Sequence, residues 1–288
     1  MARYLVLGAR GQLGRDLCPR LPGEVIGVGR DRADLTEPHT VQAILKETQP
    51  QVVINCAAYN FVDRAESEPE VAFAINAFGV RALAEACAKE DATLVHFSSD
   101  YVFGLKSHRV GPWKEKDAPG PISVYGSSKL AGEYFVRALC PKHFVIRTCG
   151  LYGVWGAGGK GGNLVETMLR LQKTGKLLRV VCDQVCTPTY TADLAEAVVK
   201  LIGTDKFGLY HLTNSGSCSW HEFALRIFTL AGIPVTMEPI SSTEYGAAAR
   251  RPSYSVLDHR AYCKLGFPAL RRWPEALAAY LQERTQRM

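Results

Sequence analysis

Tyr125 stands four residues before Lys129 in the stretch VYGSSKLAGE, and helical residues four apart project from one face. A phenol and an ammonium so placed suit the protonation of a carbonyl oxygen as hydride reaches its carbon. A phenol ordinarily ionises near ~10, and a neighbouring cation stabilises its anion and draws that value toward the working range. Upstream, TLVHFSSDYVF ends an apolar run in Ser98-Ser99-Asp100. A serine hydroxyl there, Ser99, can orient the substrate oxygen. Y-x-x-x-K alone is common on helices; Ser99, Tyr125 and Lys129 in that order, behind a glycine turn, make a catalytic trio.

These groups need a scaffold that brings them to one edge. Continuous apolar runs at 4–8, 24–29, 51–58, 93–99 and 143–148 alternate with helical patterns beginning at Val71 and Ser127. That alternation predicts an α/β fold, a Rossmann-like doubly wound parallel sheet over residues 1–150. Beyond Gly150 come a glycine-rich stretch at 153–163, helix-like segments at 163–173 and 192–202, and short strands at 177–181 and 208–212. Residues 151–288 are therefore expected to form a smaller, interleaved α/β region that binds substrate. Ligands of such sheets lie at the carboxyl ends of the strands, where Ser99 and the first glycine turn would meet.

That turn is GARGQLG, with Gly8, Gly11 and Gly14 spaced G-x-x-G-x-x-G. Glycines here let the chain turn tightly and let a diphosphate approach the amides of the next helix. The second strand ends Gly29-Arg30 instead of in an acid. Arg30 and Arg10 can pair with a 2′-phosphate, which predicts NADPH as cofactor, with NADH as the alternative that Asp31 keeps open. Asp34 in ADLTE lies toward the adenine end or starts a helix with Thr36.

Composition narrows the remaining classes. The formal charge of +6 is spread over 288 residues without a long basic run, which argues against a nucleic acid or membrane partner and suits an anionic substrate. Nine cysteines without a C-x-x-C pair suit a reducing compartment, and no leader or membrane-length apolar run is read, so a cytoplasmic location is expected. The seven histidines show no paired ligand spacing, so no metal site is expected. His96 reads as a core histidine, and Cys149, Cys182 and Cys186 as packing residues.

The stretches GARGQLG, DLTE, VINCAAYNFVDRAESEPEVAFAINAFG, SSDYVFGL, PISVYGSSKLAGE, VIRTCGLYG, GGNLVETML, VCDQVCTPTYTADLA and RPSYSVLD resemble the dTDP-4-dehydrorhamnose reductase family of extended short-chain dehydrogenase/reductases. The resemblance implies Ser99, Tyr125 and Lys129 as catalytic residues. It implies a cofactor site of Gly8, Gly11, Gln12, Leu13, Gly14, Asp34, Leu35, Ala57, Ala58 and Tyr59, and a dTDP-sugar substrate whose 4-keto group is reduced with NAD(P)H. Asp100 and Tyr101 would face the substrate, Asn163 resembles the family's asparagine after the glycine loop, and Arg251 its diphosphate-facing arginine. Dehydratases of the superfamily typically carry Asp-Glu after the fourth strand, where this chain has Asp100-Tyr101.

Two departures stand out. Some members carry a tryptophan where this chain has Gly150, and Trp155 is out of register. Others hold a metal at a dimer interface through glutamates, for which no acidic cluster is found here; a homodimer remains compatible with the resemblance. An epimerase or another nucleotide-sugar reductase is a neighbouring reading. A further alternative is a non-catalytic NADP-binding subunit resembling the regulatory subunit of methionine adenosyltransferase, although the chain ends soon after its last amphipathic helix.

Overall fold

The computed structural model describes residues 1–106, 109–156 and 162–287; residues 157–161 of the expected glycine-rich stretch lie outside the described residues. Six strands, β1 (Arg3–Leu7), β2 (Glu24–Val28), β3 (Val52–Asn55), β4 (Thr93–Ser99), β5 (His143–Thr148) and β6 (Gly208–His211), form one sheet in the order β6-β5-β4-β3-β1-β2. Every neighbouring pair is parallel. The chain adds β2 on one side of β1 and β3 on the other, so the crevice for a ligand opens outside the carboxyl ends of β1 and β3. The fold is the Rossmann-like α/β class expected. Its sixth strand comes from beyond Gly150, which interleaves the two halves of the chain.

Strands buried on both faces must be apolar throughout, and the helices supply both coverings. On one face α2 (Pro38–Thr48), a long helix α3 (Pro69–Lys89) and α4 (Val124–Leu139) pack Val41, Ile44, Leu45, Val80, Leu83 and Val136 against Leu5, Leu7, Val53 and Leu94. On the other, α1 (Gln12–Leu17) and α6 (Thr191–Ile202) bring Leu13, Leu17, Leu194, Val198 and Leu201 against Val6, Ile54, Val95 and Ile146. Each such aliphatic side chain contributes about 1.5–3 kcal/mol on burial. A separate cluster joins α5 (Leu164–Gln172), α7 (Trp220–Ala231) and α8 (Trp273–Gln286) through Val165, Phe223, Phe228, Leu277 and Tyr280. Short two-stranded pairs complete this part of the chain.

No membrane-length run was expected, yet the 21-residue α3 is long and apolar enough to pass for one; half of its most apolar window is buried inside the protein, as befits a core helix. Within it, Ala74–Phe78 is a π turn, a distortion found often beside functional sites. The turn places the buried Asn76 so that its Oδ1 accepts from the Tyr59 N–H (2.9 Å) and its Nδ2 donates to the Tyr59 carbonyl (2.9 Å) and the Ser128 hydroxyl (3.0 Å). One side chain thereby pins the crevice wall to α4.

Two boundaries differ from the sequence reading for reasons that matter to the site. β3 stops at Asn55, whose side chain accepts the Ala57 N–H at 3.1 Å and turns the chain off the sheet. α4 begins at Val124, capped by Ser123, whose hydroxyl accepts the Gly126 N–H at 3.1 Å. Tyr125 therefore lies in the first turn, at the rim.

Candidate active site

The glycine turn closes because side chains are missing from it. Gly8 has φ of +73°, and a Cβ there would sit 2.9 Å from the Ala57 nitrogen. A Cβ on Gly14 would stand 2.5 Å from the Gly8 carbonyl oxygen. The first absence lets β1 approach the segment after β3; the second lets α1 lie against the turn.

Two adjoining cavities open from this turn. The larger, about 750 Å³, is lined by Gly8, Arg10, Arg30, Asp34, Leu35, Ala57 and Tyr59. The smaller, about 400 Å³, is lined by Gln12, Leu13, Ser99, Asp100, Tyr101, Tyr125 and Lys129. Both share Gly11, Cys56, Ala58, Asn60 and Phe61, so they form one elongated crevice. Most residues expected from the sequence meet there. Gly14 lines neither cavity and acts through the close approach just described; Asn163 and Arg251 lie elsewhere.

At the rim of the larger cavity Arg30 Nε pairs with Asp34 Oδ2 at 2.6 Å, and Arg10 Nη2 with Asp31 Oδ2 at 3.4 Å. Burial alone would raise the Asp34 carboxyl, but the Thr36 N–H, Arg30 and the Thr36 hydroxyl hold it below its ordinary range. Asp34 is thus both the start of a turn and a tether for Arg30.

In the smaller cavity burial dominates. It pushes the Tyr125 phenol up to about 12, against a hydrogen bond from Ser99 that pulls it down, while the Asp100 charge adds to the rise. Burial likewise brings the Lys129 ammonium down to about 8, with Glu133 opposing. The ammonium donates to the Phe97 carbonyl at 2.6 Å. The expected lowering of the phenol by the neighbouring cation is therefore not found: Lys129 is anchored on β4, and desolvation disfavours the charged form of both groups.

Asp100 is buried beneath Ser99. Its Oδ1 accepts from the Ser99 hydroxyl at 3.1 Å and its Oδ2 from the Ser255 hydroxyl at 2.6 Å. Tyr101 sets its ring edge-on to Tyr125 at 5.7 Å, and its N–H donates to Ser99 Oγ at 3.1 Å. The turn Ser99–Tyr101 so fixes the trio's surroundings from one short segment.

Asn163 caps α5 instead of facing the crevice. Its Oδ1 accepts the Glu166 N–H at 3.1 Å and its Nδ2 donates to the Gly153 carbonyl at 2.9 Å. The N-x-x-E spacing is itself an N-cap signature. Arg251 makes a two-pronged pair with Asp63, Nη1 to Oδ1 at 2.9 Å and Nη2 to Oδ2 at 2.7 Å. Asp63 sits in the turn Val62–Ala65, which follows directly on the cavity-lining Asn60 and Phe61.

Asn60, Phe61, Val62, Thr148 and Trp220 also line the cavity, none of them assigned a role from the sequence, as does Cys149, expected there as a packing residue. Trp220 bears on a departure noted above. Gly150 adopts φ of +52°, and a Cβ there would stand 2.8 Å from Trp220 Cη2. An indole from α7 thus lies directly beside Gly150. Trp155 turns away, donating to Asp16 Oδ1 at 3.1 Å beneath the guanidinium of Arg287. Cys149 is hydrogen-bonded with Cys186 and buried, both of which push its thiol well above the ordinary value, as fits a packing residue. Among the described residues no cluster of three or more metal-ligating side chains is found.

The family described as "RmlD substrate binding domain" matches residues 2–286. The spore coat polysaccharide biosynthesis protein SpsK of Bacillus subtilis is 42% identical, covering 99% of each chain. A dTDP-4-dehydrorhamnose reductase of Streptomyces griseus is 41% identical over 96% of this chain and 91% of its own length. A crystal structure of the dTDP-4-dehydrorhamnose reductase of Bacillus anthracis in complex with NADP superposes with a TM-score of 0.92 at 42% identity, covering 98% of this chain and 99% of that one.

Proposed function

The chain belongs to the RmlD substrate binding domain family, and from that membership and the crevice geometry we propose that it reduces a dTDP-linked 4-keto-6-deoxy sugar with NAD(P)H. The finer reading is reduction of dTDP-4-dehydro-6-deoxy-L-mannose to dTDP-L-rhamnose. The observation that carries it is the gathering of Ser99, Tyr125 and Lys129 in a cavity continuous with the glycine turn.

The crevice fits a dinucleotide: its two lobes share Gly11, and Gly8 lines the larger of them. Gly8, Gly11 and the start of α1 would hold the diphosphate, Leu35, Ala57, Ala58 and Tyr59 the adenine half, and Arg10 and Arg30 a 2′-phosphate, which favours NADPH. When bound, the reduced nicotinamide supplies hydride to the carbonyl carbon. Tyr125 supplies the proton. With its phenol held at about 12 by burial, Tyr125 is fully protonated at neutral pH, and the alkoxide formed on the sugar is a stronger base than a phenolate. Transfer from Tyr125 to that oxygen is therefore downhill. Lys129, anchored on the Phe97 carbonyl, lines the same cavity and would donate from there to the bound cofactor or substrate. Ser99 holds the phenol, and Arg251 is the group to receive the substrate diphosphate once Asp63 releases it.

The test is consumption of NADPH and of NADH by the purified protein with dTDP-4-keto-6-deoxy-L-hexulose made in place by the upstream dehydratase and epimerase. Turnover with NADPH exceeding that with NADH is expected. Tight NADPH binding without turnover of any keto sugar would overturn the reading in favour of a regulatory subunit.

A further inference from the structure

Asp100 is a carboxylate with almost no solvent, 2% exposed, and among the described residues it forms no ion pair. Groups face it from each element packed around it. Tyr125 comes from α4, Cys149 from the segment after β5 with Cys186 behind it, Tyr101 from its own turn with Arg251 beyond, and Ser255 from the C-terminal segment. Ser255 makes the shortest of its contacts, 2.6 Å to Oδ2. Burial raises the Asp100 carboxyl, and the hydrogen bonds from Ser255, Cys149 and Ser99 oppose that rise.

The donors can be counted. A serine hydroxyl has one hydrogen and two lone pairs, and an ionised carboxylate only accepts. Ser99 Oγ already accepts the Tyr101 N–H. Its hydrogen goes to Asp100 Oδ1. Tyr125 lines the same cavity as Ser99, whose hydroxyl is thus tied on one side to its own turn and on the other to Asp100.

We propose that Ser255 is a positioning residue for the reduction: by donating to Asp100 it holds the carboxylate beneath Ser99 and so fixes the Ser99 hydroxyl in the cavity it shares with Tyr125. This rests on the reductase reading for its kinetic consequence, while the hydrogen-bond chain itself does not. Ser255 lies four residues after Arg251 in RPSYSVLD, so one segment carries both the arginine proposed for the diphosphate and the hydroxyl that holds Asp100. The backbone of that segment is held independently of the side chain. The Ser255 N–H donates to the Val185 carbonyl at 2.9 Å, and the Trp113 N–H to the Val256 carbonyl at 2.8 Å. Truncating the hydroxyl therefore leaves the segment in place.

The experiment compares wild type, Ser255→Ala and Ser255→Thr in kcat, KM and their pH dependence, alongside a carbon-13 NMR titration of Asp100 assigned with Asp100→Asn. Ser255→Ala is expected to lose about tenfold in kcat with KM for the nucleotide sugar little changed, the scale of one hydrogen bond to a charged group. Its acid limb should move to higher pH, because a hydrogen bond favouring the carboxylate is gone. Ser255→Thr should restore both. A folded Ser255→Ala with wild-type kcat, or with reduced kcat but an unmoved acid limb and an unmoved Asp100 titration, overturns the proposal. If Ser255→Ala fails to fold, Ser255→Cys, a weaker donor of similar size, must show the same upward shift of Asp100. Were the wild type inactive on every keto sugar, the NMR titration would still decide the hydrogen-bond chain separately from the reductase reading.

Discussion

The ammonium of Lys129 donates to the carbonyl of Phe97 at 2.6 Å, so its position is set by the end of β4 and not by the phenol one helical turn away. Burial holds that ammonium near 8. The cationic form is the one that can donate into the crevice, and it is lost as pH rises through that value. We expect kcat/KM, which reports the free enzyme, to fall on an alkaline limb near pH 8. Stability should move the other way. The unfolded chain keeps this proton up to 10.5, so relative to Lys129→Met the wild type should gain stability between about 8 and 10.5 in denaturant titrations.

Tyr125→Phe removes the proposed proton donor while keeping the ring that packs edge-on with Tyr101. Turnover should fall by about 10²–10⁴-fold, with NADPH affinity measured by fluorescence unchanged. Near-normal NADPH oxidation by this variant would remove Tyr125 from the mechanism.

Cofactor preference is expected to reside in the guanidinium of Arg30, tethered by Asp34, and that of Arg10, beside Asp31. Replacing both by alanine should raise KM for NADPH by roughly tenfold or more, the scale of a charge-assisted contact, and leave KM for NADH within about twofold. Equal losses with both cofactors would count against a 2′-phosphate site.

If Arg251 receives the substrate diphosphate, Asp63, which holds both of its terminal nitrogens, competes for it. Asp63→Asn should weaken the competing pair and lower KM for the nucleotide sugar, whereas Arg251→Lys, which loses the planar fork, should raise it by about tenfold with kcat little changed. If Asp63→Asn raises KM, the arginine is being oriented by its partner and not masked by it.

The buried pair of Arg147 and Glu133, Nε to Oε1 at 2.8 Å and Nη2 to Oε2 at 2.7 Å, ties β5 to α4. Glu133→Gln should destabilise the fold by about 3–5 kcal/mol in urea unfolding, because it leaves a guanidinium buried without its counter-charge. A change of less than about 1 kcal/mol would mean that the site admits water.

The amino-acid sequence by itself determined what depends on periodicity and local spacing. Continuous apolar runs between helical patterns can only be strands covered on both faces, and the glycines at 8, 11 and 14 place a tight turn after the first of them. The order Ser99, Tyr125, Lys129 puts three polar groups at one rim because strand ends and helix starts share an edge of a parallel sheet. Only the tertiary structure decided what surrounds those groups. Asp100 meets Ser255 across 155 residues and Arg251 meets Asp63 across 188; Trp220 reaches Gly150 from another helix, and Asn163 turns out to cap α5. The direction in which Tyr125 and Lys129 shift was likewise beyond local reading. Spacing can say that two side chains share a face, but desolvation depends on every layer packed over them, and here it outweighs the attraction between neighbours that the spacing suggested.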